Sequence, residues 1–207
     1  MTARTATHSS LTPHRPPRTA LLCLLLLSAC TTAAPPNAPD VASWRAEKDR
    51  YMRESSESPV PAAKRATFAP LPYYAIDPEY QVPAALTVSP GEDVLELPTS
   101  TGQRRRMRKI GSLKFTLKGQ QLALSAFVDA NTNDVSRLFV PFGDLTNGTE
   151  TYAGGRYLDL ERTATGIYDL DFNRAYHPFC VFNAEYDCPY PPRENRLSVL
   201  VRAGERL

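Results

Sequence analysis

Three stretches of the C-terminal half concentrate the side chains that could do chemistry. They are Thr151-Tyr152-Ala153-Gly154-Gly155-Arg156-Tyr157, Asp169-Leu170-Asp171-Phe172-Asn173-Arg174-Ala175-Tyr176-His177-Pro178 and Cys188-Pro189-Tyr190-Pro191-Pro192-Arg193-Glu194-Asn195-Arg196. Carboxylate, guanidinium, amide and phenol groups recur within a few residues of one another, a set that holds polar or anionic ligands through charge-assisted hydrogen bonds. Asp171, Asn173, Arg174 and Tyr176 follow an apolar segment, and Arg156 and Tyr157 open another. If those ends meet, Arg156, Tyr157, Asp171, Asn173, Arg174 and Tyr176 form one mouth for a small polar or anionic ligand. Asp171 and Glu194 are the candidate acid or base of an enzyme, because a carboxylate tuned by burial or a charged neighbour can move protons. The same side chains also hold long loops that lack regular hydrogen bonding, so binding, hydrolase-like catalysis and pure scaffolding all remain open readings.

Other chemistries find less support. His8 and His14 lie near the N-terminus, which leaves His177 as the one imidazole of the remaining chain and excludes a multi-His zinc centre within one molecule. GxSxG, Walker and GxGxxG patterns are absent, so neither a nucleophile elbow nor a nucleotide cradle is expected, and no cofactor or metal centre is assigned. With 24 Lys and Arg against 22 Asp and Glu, the charge is too balanced for a nucleic-acid partner. Cys180 and Cys188 read most simply as a disulfide formed outside the cytoplasm. The alternatives are a redox pair, or a metal set completed by His177 with Asp171 or Glu185.

The compartment is legible at the other end of the chain. Arg15 and Arg18 precede the apolar run Ala20-Leu21-Leu22-Cys23-Leu24-Leu25-Leu26-Leu27, followed by Ser28-Ala29-Cys30, which is the order of an export signal. The run is shorter than the roughly 20 apolar residues that a spanning helix needs. Leu27-Ser28-Ala29-Cys30 resembles the lipobox of bacterial lipoproteins, which implies a diacylglycerol on Cys30. Residues 1–29 are then a lipoprotein signal peptide, residues 30–39 the lipidated Cys and a Pro- and Ala-rich flexible tether, and residues 40–207 a single folded domain. The expected partner is the membrane, reached through the lipid anchor, and the expected location is the bacterial cell envelope, facing the periplasm or exterior.

The elements that must position the candidate residues follow from periodicity. Val41, Trp44, Tyr51, Met52 and Ser55 recur at helical spacing over residues 40–56, with Asp40 as N-cap, an Asp49 to Arg53 pair, and Trp44 read as a core anchor rather than a ligand platform. A helical turn is expected over residues 62–67 before Pro70, Pro72 and Pro78 forbid a long helix. Farther along, Leu113, Phe115 and Leu117 alternate with Lys114, Thr116 and Lys118, and after the turn at Lys118-Gly119-Gln120 the residues Leu122, Leu124, Ala126 and Val128 share a face, which predicts a hairpin. Further strands are expected over residues 84–88, 94–97, 104–110, 137–142, 156–160, 167–172 and 197–202. The basic run Arg104-Arg105-Arg106-Met107-Arg108-Lys109 reads as a charged edge strand, with contact to anionic lipid head groups as the alternative. The fold class expected is mostly β, an antiparallel β-barrel or sandwich with an N-terminal α-helix packed against it.

The three C-terminal strings, together with Trp44-Arg45-Ala46-Glu47-Lys48-Asp49, resemble the domain of unknown function 1684 family, whose members carry TYxGGRYL-like, DFNxAYxPxC and CPxPPxEN stretches in this order. The resemblance covers nearly all the chain after the tether and implies no activity. Where many relatives have Asn before the Pro of the second stretch, this chain has His177, so no mechanism resting on an imidazole is implied.

Overall fold

Leu113, Phe115 and Leu117 are buried while Lys114 and Thr116 face solvent, so the period-two pattern becomes a strand with one face on a core. In the computed structural model, which describes residues 1–3, 38–91 and 93–207, this strand belongs to a sheet of seven. The expected signal peptide after residue 3, Cys30 and most of the expected tether lie outside the described residues. The strands are β1 (Gln81–Val88), β2 (Val94–Pro98), β3 (Arg104–Leu117), β4 (Gln120–Asp129), β5 (Arg137–Phe142), β6 (Arg156–Glu161) and β7 (Ile167–Asp171). Their order is β6-β5-β4-β3-β1-β7, every pair antiparallel, with β2 on the side of β3. β6 and β7 end that path, and reciprocal backbone hydrogen bonds between Tyr157 and Tyr176 bring their regions together, so the sheet is a nearly closed barrel. The barrel core includes Leu113, Leu124, Val140, Leu158, Leu170 and Phe172.

The β3–β4 hairpin closes through Lys118 and Gly119, both at positive φ (48° and 78°), as a two-residue turn matched to strand twist requires. Two of the expected strands, 104–110 and the one through Leu117, are a single strand. A β-bulge between Lys109 and Gly111 absorbs one residue and changes which side chains face the core. Before the bulge, Met107 joins Leu97 and Phe127 in a cluster on the outer face of the sheet. Only the start of the basic run is a sheet edge: β2 pairs with Arg104 through Arg108 on one side, and β4 pairs on the other only from Met107 onward.

The segment expected as a strand at 197–202 is irregular. Leu197 and Val199 bond to the backbone of Gly143 and Leu145, whereas the carbonyl of Val201, with those of Ala203 and Glu205 beyond it, is taken by the Arg156 guanidinium. β4 and β5 share only the Phe127–Phe139 pair before they splay. Asn195 fills that gap: its amide donates to the Ser125 and Pro141 carbonyls, and its Oδ1 accepts from the Ser125 N–H at 2.7 Å.

One long helix, α1 (Ala38–Glu54), precedes the short α2 (Ala62–Arg65). α1 packs through Val41 and Met52, and through Arg45, which donates to the carbonyls of Tyr74 and Asn173. Asp49 accepts from the Leu71 N–H, so it ties down a loop rather than pairing with Arg53. Met52, Val60 and Leu71 form a second, smaller core beneath the helix.

Candidate functional site

The open seam of the barrel is where the described residues leave both unpaired strand edges and a cavity. Along β6, the Tyr157 N–H and C=O point to Tyr176 while the Arg162 N–H points to Ser136 on the β5 side, so the backbone groups of Asp159 and Glu161 face the seam. Along β7, the Gly166 carbonyl points to β1, so those of Asp169 and Asp171 face the seam from the other side, while that of Ile167 accepts from the Thr163 hydroxyl. The cavity between them has a volume of about 410 Å³ and is lined by Trp44, Arg137, Leu158, Asp159, Leu160, Glu161, Thr163, Tyr168, Asp169, Asp171, Arg174 and Tyr176. A ligand here would meet apolar side chains, carboxylates and guanidiniums, an indole, and backbone donors and acceptors that no neighbouring strand satisfies.

Asp171 ends β7 and caps the 3-10 turn Phe172–Arg174, its Oδ1 accepting from the N–H and the side-chain amide of Asn173, each at 2.9 Å. Burial pushes this carboxyl above the usual aspartate range despite those bonds and the Arg174 charge. Arg174 Nε lies 3.6 Å from Asp171, and its Nη2 reaches Asp40 in the first turn of α1. Tyr176 donates its phenol to Asp159 at 2.8 Å, and burial raises its proton affinity well above the ordinary value. Lys48 Nζ stands 4.3 Å from the centre of the Tyr176 ring and 5.6 Å from that of Trp44, where Glu205 neutralises it. Arg137 pairs with Glu161 at 3.6 Å, and Asp169 accepts from Gln81.

Of the six expected binding residues, Asp171, Arg174 and Tyr176 meet at this seam. The other three do not offer free groups. Arg156 is fully buried, bound to Asp144 at 2.9 Å and to three carbonyls, because the irregular C-terminal segment needs donors. Tyr157 donates its hydroxyl to the Pro189 carbonyl at 2.6 Å. Asn173 is buried and clamps Asp77 through both its N–H and its C=O. Glu194 stands apart, 3.6 Å from Lys109, and does not line the seam cavity.

Trp44, Arg137, Asp159 and Asp169 are seam residues that the sequence reading missed. Asp159 and Asp169 had a visible signal, a carboxylate flanked on both sides by apolar residues of a strand. Trp44 had another: α1 offers so few apolar residues beyond Val41 and Met52 that a large half-buried ring must be covered by something else.

Cys180 and Cys188 lie side by side as free thiols, with the Cys180 N–H donating to Cys188 Sγ at 3.3 Å. Burial pushes the Cys188 thiol up to about 11. His177 does not join them in a metal set: among the described residues no three His, Cys, Asp or Glu side chains converge to hold an ion. Its Nε2 accepts from the Tyr152 N–H at 3.3 Å while Nδ1 faces Glu205 at 3.6 Å, and burial lowers its pKa to about 3.

The family model described as "Protein of unknown function (DUF1684)" matches residues 66–206. Among solved structures, an uncharacterized protein of Haloarcula marismortui determined by solution NMR is 39% identical, with a TM-score of 0.65 over 82% of this chain and 93% of that one. No curated protein matches.

Proposed function

The chain belongs to the DUF1684 family of proteins of unknown function, and we propose that it is an exported, lipid-anchored protein of the cell envelope whose barrel seam binds a small polar ligand. The observation that carries the binding reading is the convergence of Asp171, Arg174 and Tyr176 with Trp44 on a cavity of about 410 Å³, the size range of small-molecule sites. Asp159, Glu161, Asp169 and Asp171 outnumber Arg137 and Arg174 in the lining, and both arginines already face carboxylates. That balance disfavours the anionic part of the expected ligand class. A neutral, hydroxyl-rich molecule fits: its hydroxyls can donate to the carboxylates and accept from the guanidiniums, and one apolar face can lie on the indole.

Anchoring rests on the sequence signal around Cys30. Each buried methylene of an acyl chain contributes about 0.8 kcal/mol, and two or more chains hold a protein stably. In the oxidising compartment that export implies, the adjacent Cys180 and Cys188 thiols would join as a disulfide. The enzyme reading narrows to Asp171 as the acid or base, since its carboxyl faces the cavity with raised proton affinity.

Trp44, the only tryptophan, makes the seam self-reporting. Titration with a panel of neutral mono- and disaccharides should change its fluorescence saturably, whereas sugar phosphates of the same size should bind more weakly. Arg174→Ala should weaken binding by roughly tenfold, the scale of a charge-assisted hydrogen bond. A fluorescence response that favours the phosphates would overturn the polar, uncharged assignment. Turnover of a bound sugar that vanishes in Asp171→Asn would establish the enzyme reading.

A further inference from the structure

A second cavity, of about 450 Å³, lies on the outer face of the sheet and shares only Tyr176 with the seam. Phe139 comes from β5, Tyr157 from β6, and Tyr176, Phe179 and Tyr186 from the chain that crosses over them. We infer that this is an aromatic cage for a compact organic cation of the quaternary ammonium class.

Shape argues first. The rings meet nearly at right angles: Phe139 and Tyr157 at 73° with centroids 4.7 Å apart, Tyr157 and Tyr176 at 89° and 5.7 Å, Phe179 and Tyr186 at 86° and 5.4 Å. Rings so disposed turn their faces in different directions. They do not form the parallel walls that sandwich a flat ligand, but they can surround a rounded one.

Charge argues second. Every ring presents a negative π-face, and among the described residues no cation of the chain sits over Phe139, Tyr157, Phe179 or Tyr186. The rim carries Asp129, Asp187 and Arg105. Arg105 is already engaged, its Nη2 donating to the Asp187 carbonyl at 2.7 Å and lying 3.3 Å from the Asp187 carboxylate. Asp129, at the end of β4, makes no ion pair among the described residues, and its Oδ1 accepts only from the Asn131 N–H. One uncompensated carboxylate thus stands at the mouth of a ring-lined space. The Tyr157 hydroxyl is bonded to Pro189, so this residue offers its ring; the Tyr176 ring already holds Lys48 Nζ at 4.3 Å from its centre, and Met107, Cys188 and Pro189 complete an apolar wall. A primary ammonium would find only the Asp129 carboxylate at the mouth to replace the several hydrogen bonds of its hydration shell, whereas a methylated one sheds water easily and meets π-faces on several sides.

The test is calorimetry on the full chain with choline and with its neutral isostere 3,3-dimethylbutan-1-ol. Choline should bind about tenfold more tightly, the scale of a desolvated cation–π contact. Phe179→Leu and Tyr186→Leu, which alter partly exposed loop rings outside the barrel core, should each cut choline affinity several-fold, and Asp129→Asn should weaken it and reduce its salt dependence. Equal affinity for the alcohol would overturn the assignment to a cation, as would choline binding unchanged in both ring variants. If choline instead alters Trp44 fluorescence, and its binding is lost in Trp44→Leu but retained in Phe179→Leu, the cation occupies the seam and the cage is refuted.

Discussion

Arg156 shows how completely burial can reassign a charged residue. Its guanidinium is enclosed, paired with Asp144, and bonded to three main-chain carbonyls of the C-terminal segment. Arg156→Met removes those donors and leaves the Asp144 carboxylate buried without its partner, so it should lower unfolding stability by about 3–5 kcal/mol in urea titration. The protein that remains folded should bind seam ligands as before, since Arg156 does not line the seam. His177 makes a second prediction. The folded chain keeps it neutral down to about pH 3, against 6.5 for the unconstrained imidazole. Between those values the unfolded state binds more protons, so stability falls as pH drops through that window, at up to about 1.4 kcal/mol per unit. His177→Asn should flatten that dependence when urea midpoints at pH 7 and pH 4.5 are compared with those of wild type.

The family's repeated strings acquire local explanations among the elements they join. In the first, a side chain at Gly154 would run into the Tyr152 and Tyr190 rings, and Gly155 holds φ at 93° against the Phe142 carbonyl and Pro191. The pair of glycines thus lets β6 start beneath the Pro-rich third string. In that third string, Asn195 stands in for the missing rungs between β4 and β5. Asn195→Ala would orphan the Ser125 N–H and leave the Ser125 and Pro141 carbonyls without their donor, at a cost of about 2–4 kcal/mol. Amide hydrogen exchange should show Ser125 losing protection first. The strand pattern itself was readable in the sequence wherever one face meets the core and the other meets water, as along β3 after the bulge and along β6. In β4 it placed Leu122, Leu124, Ala126 and Val128 on the core face correctly, and left unseen only that the other face is covered too, with Ser125 and Phe127 buried. It misled over residues 197–202, where apolar side chains pack inward but the backbone divides its bonds between the main chain of Gly143 and Leu145 and the side chains of Arg156, Asp144 and Tyr80.

Across the whole molecule, helix, barrel and C-terminal chain meet at one side of the sheet. Lys48 of α1 joins Glu205 of the tail, which also accepts from the His177 N–H, so three distant segments close on a buried charge pair. The N-terminal helix α1 therefore forms one wall of the seam through Trp44. If Cys30 is the anchor, Cys30→Ala should move the protein from the membrane fraction to the soluble fraction with its fold unchanged by circular dichroism. A variant that stays membrane-bound would refute the anchor. Intact mass of the same exported material after alkylation without reduction should show Cys180 and Cys188 blocked, and two alkylated thiols would exclude the disulfide.

The sequence by itself determined the mostly β class, the β3–β4 hairpin and its turn, the N-terminal helix and the strings that mark the family. These are local properties: side-chain alternation, the positive φ that favours Gly119, and helical spacing act within a few residues. Which polar groups remain free for a ligand was decided by tertiary structure alone. Asp171, Arg174 and Tyr176 line a cavity while Arg156 is enclosed, because the carbonyls that claim Arg156 belong to residues 45 to 49 positions away. Those carbonyls come within reach only when the C-terminal chain packs on the barrel. The seam exists for the same kind of reason. β6 and β7 are neighbours in sequence and carry ordinary strand patterns, yet each takes its partner from elsewhere, β5 and β1, and the carboxylates between them are left with a space that a hairpin would have closed.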